Sequence, residues 1–222
     1  SVIVPVAPGT LTATADSSTT IILSWADNSD DETGFEIERS SDSVTFTLLA
    51  TLAANAISYI DTGLAASTKY YYRILATGTA GNSDYSNVAN AVTKAAIPSA
   101  PGTLAATANS SSSITLSWAD NSNNETWFEI ERSSDGTDFT LVTTVAPNTI
   151  TYTDNDLNAS AKYYYRIRAT GVAGSSDYSN IADATTGVMV YGKMEAGNLL
   201  SPNGDGKNDR WIVKNIDQYP DN

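Results

Sequence analysis

The 222-residue chain contains neither cysteine nor histidine, which removes disulfides, thiol nucleophiles, thiolate metal sites and the commonest general base together. Its net charge of −13, from 25 acidic and 12 basic side chains, repels phosphate backbones and anionic membranes, so nucleic acid is excluded as a partner. No apolar run approaches the roughly 18–20 residues of a membrane span.

Residues 1–7 read as a linker and residues 8–93 as a first module. Leu11, Ala13 and Ala15 alternate in an opening strand, and Ile21, Leu23 and Trp25 share one parity in the next. Such period-two patterning marks strands with one buried face. Asp27–Thr33 is a polar loop, after which Phe35 and Ile37 face inward and Glu36 and Glu38 outward. Ser41 and Asp42 turn the chain into a strand over Phe46–Leu52, and Ile57 and Tyr59 form a short strand. Leu64 opens a corner. Tyr70, Tyr72, Ile74 and Ala76 then point in, with Tyr71, Arg73 and Leu75 pointing out. Gly78–Asp84 is a turn, and Tyr85–Thr93 is the last of seven strands.

Residues 94–100 form a second linker, which matches residues 1–7. A similar module is therefore expected before the first. Residues 101–186 repeat 8–93 at an offset of 93 without a gap, with 58 of 86 positions identical. A repeat of this kind is one folding unit used twice. Short alternating strands separated by turns at 8–12-residue intervals indicate an all-β fold of two tandem seven-stranded sandwiches.

The details carry a resemblance to the fibronectin type III family. A core tryptophan sits on the second strand, Trp25 and Trp118, and a leucine precedes a corner tyrosine by six residues, Leu64/Tyr70 and Leu157/Tyr163. Tyr70-Tyr71-Tyr72-Arg73 and Tyr163-Tyr164-Tyr165-Arg166 follow, then Gly81–Ser86 and Gly174–Ser179. The resemblance implies that the corner tyrosine buries its ring and bonds upstream backbone through its hydroxyl. It also resembles the version that serves as a spacer in bacterial secreted enzymes and surface proteins.

Within the modules the sharpest departure between copies is Trp127, where the first copy has Gly34. Parity turns it outward, either as a platform for a sugar ring or a neighbouring module, or as a solitary surface aromatic. The loops 27–32 and 120–125 concentrate oxygen ligands of the kind calcium takes. The second loop exchanges two carboxylates for asparagine, and a solvated turn accounts for both. Outward Glu36/Glu38 and Glu129/Glu131 lie on a flat face beside Arg73 and Arg166, which fits cross-strand ion pairs rather than catalytic acids. No nucleophile–base arrangement or phosphate loop is found, so catalysis is not expected here.

At Gly187 the repeat stops. Residues 187–222 contain Ser-Pro-Asn-Gly-Asp-Gly-Lys-Asn-Asp at 201–209, followed by Trp211-Ile212-Val213 and Tyr219-Pro220. This resembles the opening of the gliding-motility-associated carboxyl-terminal domain, which implies a type IX secretion and surface-anchoring address. Asn203, Asp205 and Asp209 also resemble a short calcium turn, and calcium is the one cofactor the sequence suggests; a plain glycine turn is the alternative. The expected function is a non-catalytic structural or adhesive spacer in an extracellular or cell-surface bacterial protein. Its expected partners are neighbouring domains of the parent chain and, through the last segment, the secretion machinery. Two alternatives stand beside it: accessory modules of a secreted polysaccharide-degrading enzyme, and a subunit of a fibre built from copies of the chain.

Overall fold

The alternating pattern becomes strands throughout the computed structural model, which describes residues 3–190 and contains no helix among them. The first module comprises β1 (Gly9–Ala15), β2 (Thr20–Ala26), β3 (Gly34–Ser40), β4 (Thr47–Ala53), β5 (Ser58–Thr62), β6 (Lys69–Thr77) and β7 (Ala89–Val92). They form a three-stranded sheet ordered β1-β2-β5 and a four-stranded sheet ordered β4-β3-β6-β7, antiparallel throughout.

The second module repeats this with β8 (Gly102–Ala108), β9 (Ile114–Ala119), β10 (Glu125–Ser133), β11 (Thr140–Val145), β12 (Thr151–Asp154), β13 (Lys162–Gly171), β14 (Gly174–Ser175) and β15 (Ala182–Thr185). Its sheets run β12-β9-β8 and β11-β10-β13-β14, with β15 also pairing β13. Segment 191–222, and with it Asn203, Asp205, Asp209 and the proposed sorting sequence, lies outside the described residues.

The inward parity set fills the first core. Leu11, Ile21, Leu23, Trp25, Phe35, Ile37, Leu64, Tyr72, Ile74 and Ala76 are buried together, with Trp25 and Phe35 tilted at 5.8 Å between ring centroids. Their equivalents, including Trp118, Phe128, Leu157 and Tyr165, are buried in the second module. Tyr70 and Tyr163 are half-buried at the corners. Their hydroxyl oxygens accept the amide hydrogens of Ala65 and Asn158, both at 3.1 Å. Each bond satisfies a backbone donor where no strand partner is available.

One expectation changes. The last strand is shorter than Tyr85–Thr93, because serines stand in for the ladder before β7. Ser83 and Ser86 donate their amides to Ala76 and Ile74 and also accept the amides of those residues on their hydroxyls. Asn87 then crosses to β1, its side-chain amide donating to the Leu11 carbonyl at 3.0 Å and accepting the Leu11 N–H at 2.9 Å. Leu75 keeps the outward parity of Arg73, pairing with Glu36, yet is only 6% exposed. Pro5 and Pro98 are buried, and Gly187 donates its amide to Ser110 O and accepts that of Ser160.

The β3–β4 turn is built by one carboxylate. Asp42 accepts N–H bonds from Val44 and Thr45 at 2.8 and 2.7 Å and a hydroxyl bond from Ser40 at 2.7 Å. Asp135 does the same with Thr137, Asp138 and Ser133. The backbone donors, Thr45 and Asp138 foremost, hold both carboxyls far below the ordinary carboxylate range. A folded-state value below the unfolded one stabilises the fold above the unfolded pKa, and that contribution fades as pH falls toward the folded value. Asp42→Asn and Asp135→Asn should therefore destabilise in urea titrations at about pH 6, with the gap to the parent chain narrowing by about pH 2. A gap that is the same at both values would show that the charge plays no part.

Candidate functional site

The outer face of the four-stranded sheet carries a cluster of charged and aromatic side chains in each module. Register explains how they meet. Glu38 pairs with Arg73 across β3 and β6, so their side chains emerge together on the outer face. The Arg73 guanidinium bonds Glu38 at 2.6–2.7 Å and lies between two rings, 4.4 Å from Phe46 and 3.9 Å from Tyr85. The Tyr85 hydroxyl donates to the other Glu38 oxygen at 2.9 Å. Partial burial and that bond raise the Tyr85 phenol above its ordinary value, so it remains a donor at neutral pH. The second module repeats the cluster as Arg166, Glu131, Phe139 and Tyr178. Both carboxylates are thus committed to holding the sheet.

A second pair of clusters lies inside. Asp61, on β5, is 2% exposed. Its two oxygens receive Arg39 Nη1 of β3, both at 3.0 Å, and Oδ2 also receives the Tyr72 hydroxyl of β6 at 2.8 Å. One carboxylate therefore ties the two sheets together. Burial first, and the bond to Asp61 second, push the Tyr72 phenol far above its ordinary range. Asp154, Arg132 and Tyr165 reproduce the arrangement. The sequence reading passed over these aspartates. The available sign was a carboxylate at 61, on the same inward parity as Tyr59, returning at 154.

The oxygen-rich loops hold the chain beside them. Asn28 donates its side-chain amide to Ala7 O and Ser29 Oγ accepts the Val6 amide, both at 3.2 Å. Asn124 likewise donates to Ala96 O at 2.7 Å. Among the described residues no group of three or more Asp, Glu, His or Cys side chains could hold a metal. The exchange of Asp31 for Asn124 has a local effect. Ser29 donates to Asp31, whereas Ser122 donates to the buried Glu125.

Trp127 stands on the outer face of β10 and is 42% exposed. Thr126 Oγ1 donates to Thr170 O at 2.8 Å as Thr33 does to Thr77 at 3.1 Å. Together with the Arg166–Glu131 pair, this gives β10 and β13 the register of β3 and β6. Trp127 then lies across from Thr170. The equivalent Gly34 is buried, and a Cβ built on it would collide with the Leu52 carbonyl oxygen. The two copies therefore differ in local backbone as well as side chain at this position.

Two sandwiches, each tied internally by a polar triad and carrying an arginine–glutamate pair against aromatic rings on its outer face, define a class of all-β sandwich module. The family model for the fibronectin type III domain matches residues 6–92 and 99–185, and the chain belongs to that family. It is 33% identical over 204 residues to exoglucanase B of Cellulomonas fimi, covering 86% of this chain and 17% of that protein. It is also 33% identical over 207 residues to chitinase A1 of Niallia circulans, covering 87% and 27% respectively. The chain thus spans less than a third of either relative. Among solved structures it is similar to a two-domain fibronectin type III segment of chicken tenascin, with 18% identity and a TM-score of 0.45, covering 81% of this chain and 99% of that one.

Proposed function

We propose that the two modules are a non-catalytic spacer and accessory pair in an exported bacterial protein, and that the parent protein degrades polysaccharide. The likeness to an exoglucanase and a chitinase, which runs across both modules but takes in only a fraction of each enzyme, carries this reading. The committed state of Glu38, Glu131, Asp61 and Asp154 supports it from the chemistry, since none of them is left to act as a general acid or base. Segment 187–222 serves in this proposal as an export address, on the strength of its sequence at 201–209.

Within the pair, Trp127 is the residue we place against glycan, because an exposed indole offers a flat apolar face to a sugar ring. The chain should release no reducing sugar from amorphous cellulose or colloidal chitin, yet be retained by at least one of them. Trp127→Ala should lower the retained fraction roughly fivefold, the scale of one lost aromatic contact. Sugar release by the chain itself would overturn the non-catalytic reading, and retention unchanged in Trp127→Ala would remove Trp127 from it.

A further inference from the structure

Beside the β3–β4 turn, the first module holds a solvent-open cavity of about 450 Å³ lined by Arg39, Ser41, Asp42, Thr45, Thr47 and Tyr70. We propose that this cavity is a binding site for one unit of a neutral polysaccharide, an inference that rests on the accessory reading above and adds a site distinct from Trp127.

The size lies within the range of small-molecule sites, which combine an apolar wall with a few convergent polar groups. The wall is the half-buried Tyr70 ring with the Arg39 guanidinium over it, 5.5 Å from the ring centroid, and the ring is held rigid because its hydroxyl is fixed by the Ala65 amide. The polar groups are partly unspent. Arg39 uses only Nη1 on Asp61, so its other N–H groups have no hydrogen-bond partner among the described residues. Asp42 takes three turn bonds on Oδ1, so its exposed carboxylate keeps acceptor capacity on Oδ2 beyond what the Thr45 hydroxyl takes. The exposed Ser41 hydroxyl can both donate and accept. Thr47 donates to Arg39 O at 3.3 Å and keeps its lone pairs.

A guanidinium, a carboxylate and hydroxyls around a ring match the mixed donors and acceptors of a pyranose. The charges select against the other ligand classes. Arg39 is already neutralised by the buried Asp61 and stands beside Asp42 in the lining, so the cavity has no positive excess to hold phosphate or a uronic acid. The same lining types return in the second module as Arg132, Ser134, Asp135, Thr140 and Tyr163, with Asp138 in place of Thr45.

The test is a titration of the isotope-labelled chain with cellohexaose, chitohexaose and inorganic phosphate, followed by amide chemical shifts. Saturable shifts at residues 41–47 are expected with one of the oligosaccharides and none with phosphate. Ser41→Trp, an exposed position at the mouth, should weaken that binding by about tenfold through the loss of two or so hydrogen bonds. Trp127→Ala should leave the shifts at 41–47 intact. Absence of shifts there in the parent chain, shifts confined to the Trp127 indole, saturation by phosphate, or undiminished binding by a folded Ser41→Trp would each overturn the proposal. None of these outcomes bears on whether the modules are non-catalytic, which sugar release decides.

Discussion

Replacing Asp61 with alanine should weaken the first module by roughly 3 kcal/mol and leave the second untouched, the lower end of what breaking a buried ion pair costs. The loss is large because Asp61 is, among the described residues, the one carboxylate joining Arg39 and Tyr72, which reach it from the opposite sheet. Without it the Tyr72 hydroxyl is left in a fully buried position with no acceptor, and an unmade buried hydrogen bond carries its whole desolvation cost. The lower end of the range applies because the Arg39 side chain is 34% exposed and can turn toward water. Native-state hydrogen exchange should show protection in β5 and β6 falling about a hundredfold, with β9 and β12 unchanged. Replacing all three partners by Leu, Leu and Phe should recover much of the loss, since an apolar triad leaves nothing unpaired. A change below about 1 kcal/mol for Asp61→Ala would show that the triad is a surface ion pair in its energetics.

How much of this could be seen in the sequence depends on what kind of interaction was responsible. Parity alone placed Trp25, Phe35, Ile37 and Ile74 inside, because burial in a sandwich follows the two-residue repeat. It also brought Glu38 opposite Arg73, since cross-strand neighbours follow once pairing is assumed. The shortened last strand was not legible in the same way. There the ladder is replaced by the hydroxyls of Ser83 and Ser86 and the amide of Asn87, and a small polar side chain that substitutes for a strand looks like an ordinary turn residue. The triads were half legible. Asp61 on an inward position signals a buried partner, yet Arg39 comes from a different sheet, 22 residues away, and no local pattern names it. The cavity depends on which Asp42 oxygen the turn consumes, which only the folded backbone decides.

Exchanging the one residue that most separates the copies should have very unequal effects in the two modules. Gly34→Trp should destabilise the first by about 3 kcal/mol or more, the upper range for forcing side-chain volume into a packed site. The obstacle is a backbone carbonyl, that of Leu52 on the paired strand, which cannot rotate aside as a side chain would. Even Gly34→Ala places its Cβ against that oxygen, so most of the loss should already appear in the smaller variant. Trp127→Gly, by contrast, creates no clash and removes an indole that is already 42% exposed, so it should cost less, about 2 kcal/mol from the covered part of the ring and from glycine in a strand. Urea unfolding followed by amide exchange in each module separates the two effects. The asymmetry matters for function. An indole that can be removed at modest cost would fit the glycan contact proposed above for Trp127. Should Trp127→Gly cost as much as Gly34→Trp, Trp127 would be part of the structural framework, and the glycan contact would have to be sought at the Tyr70 cavity alone.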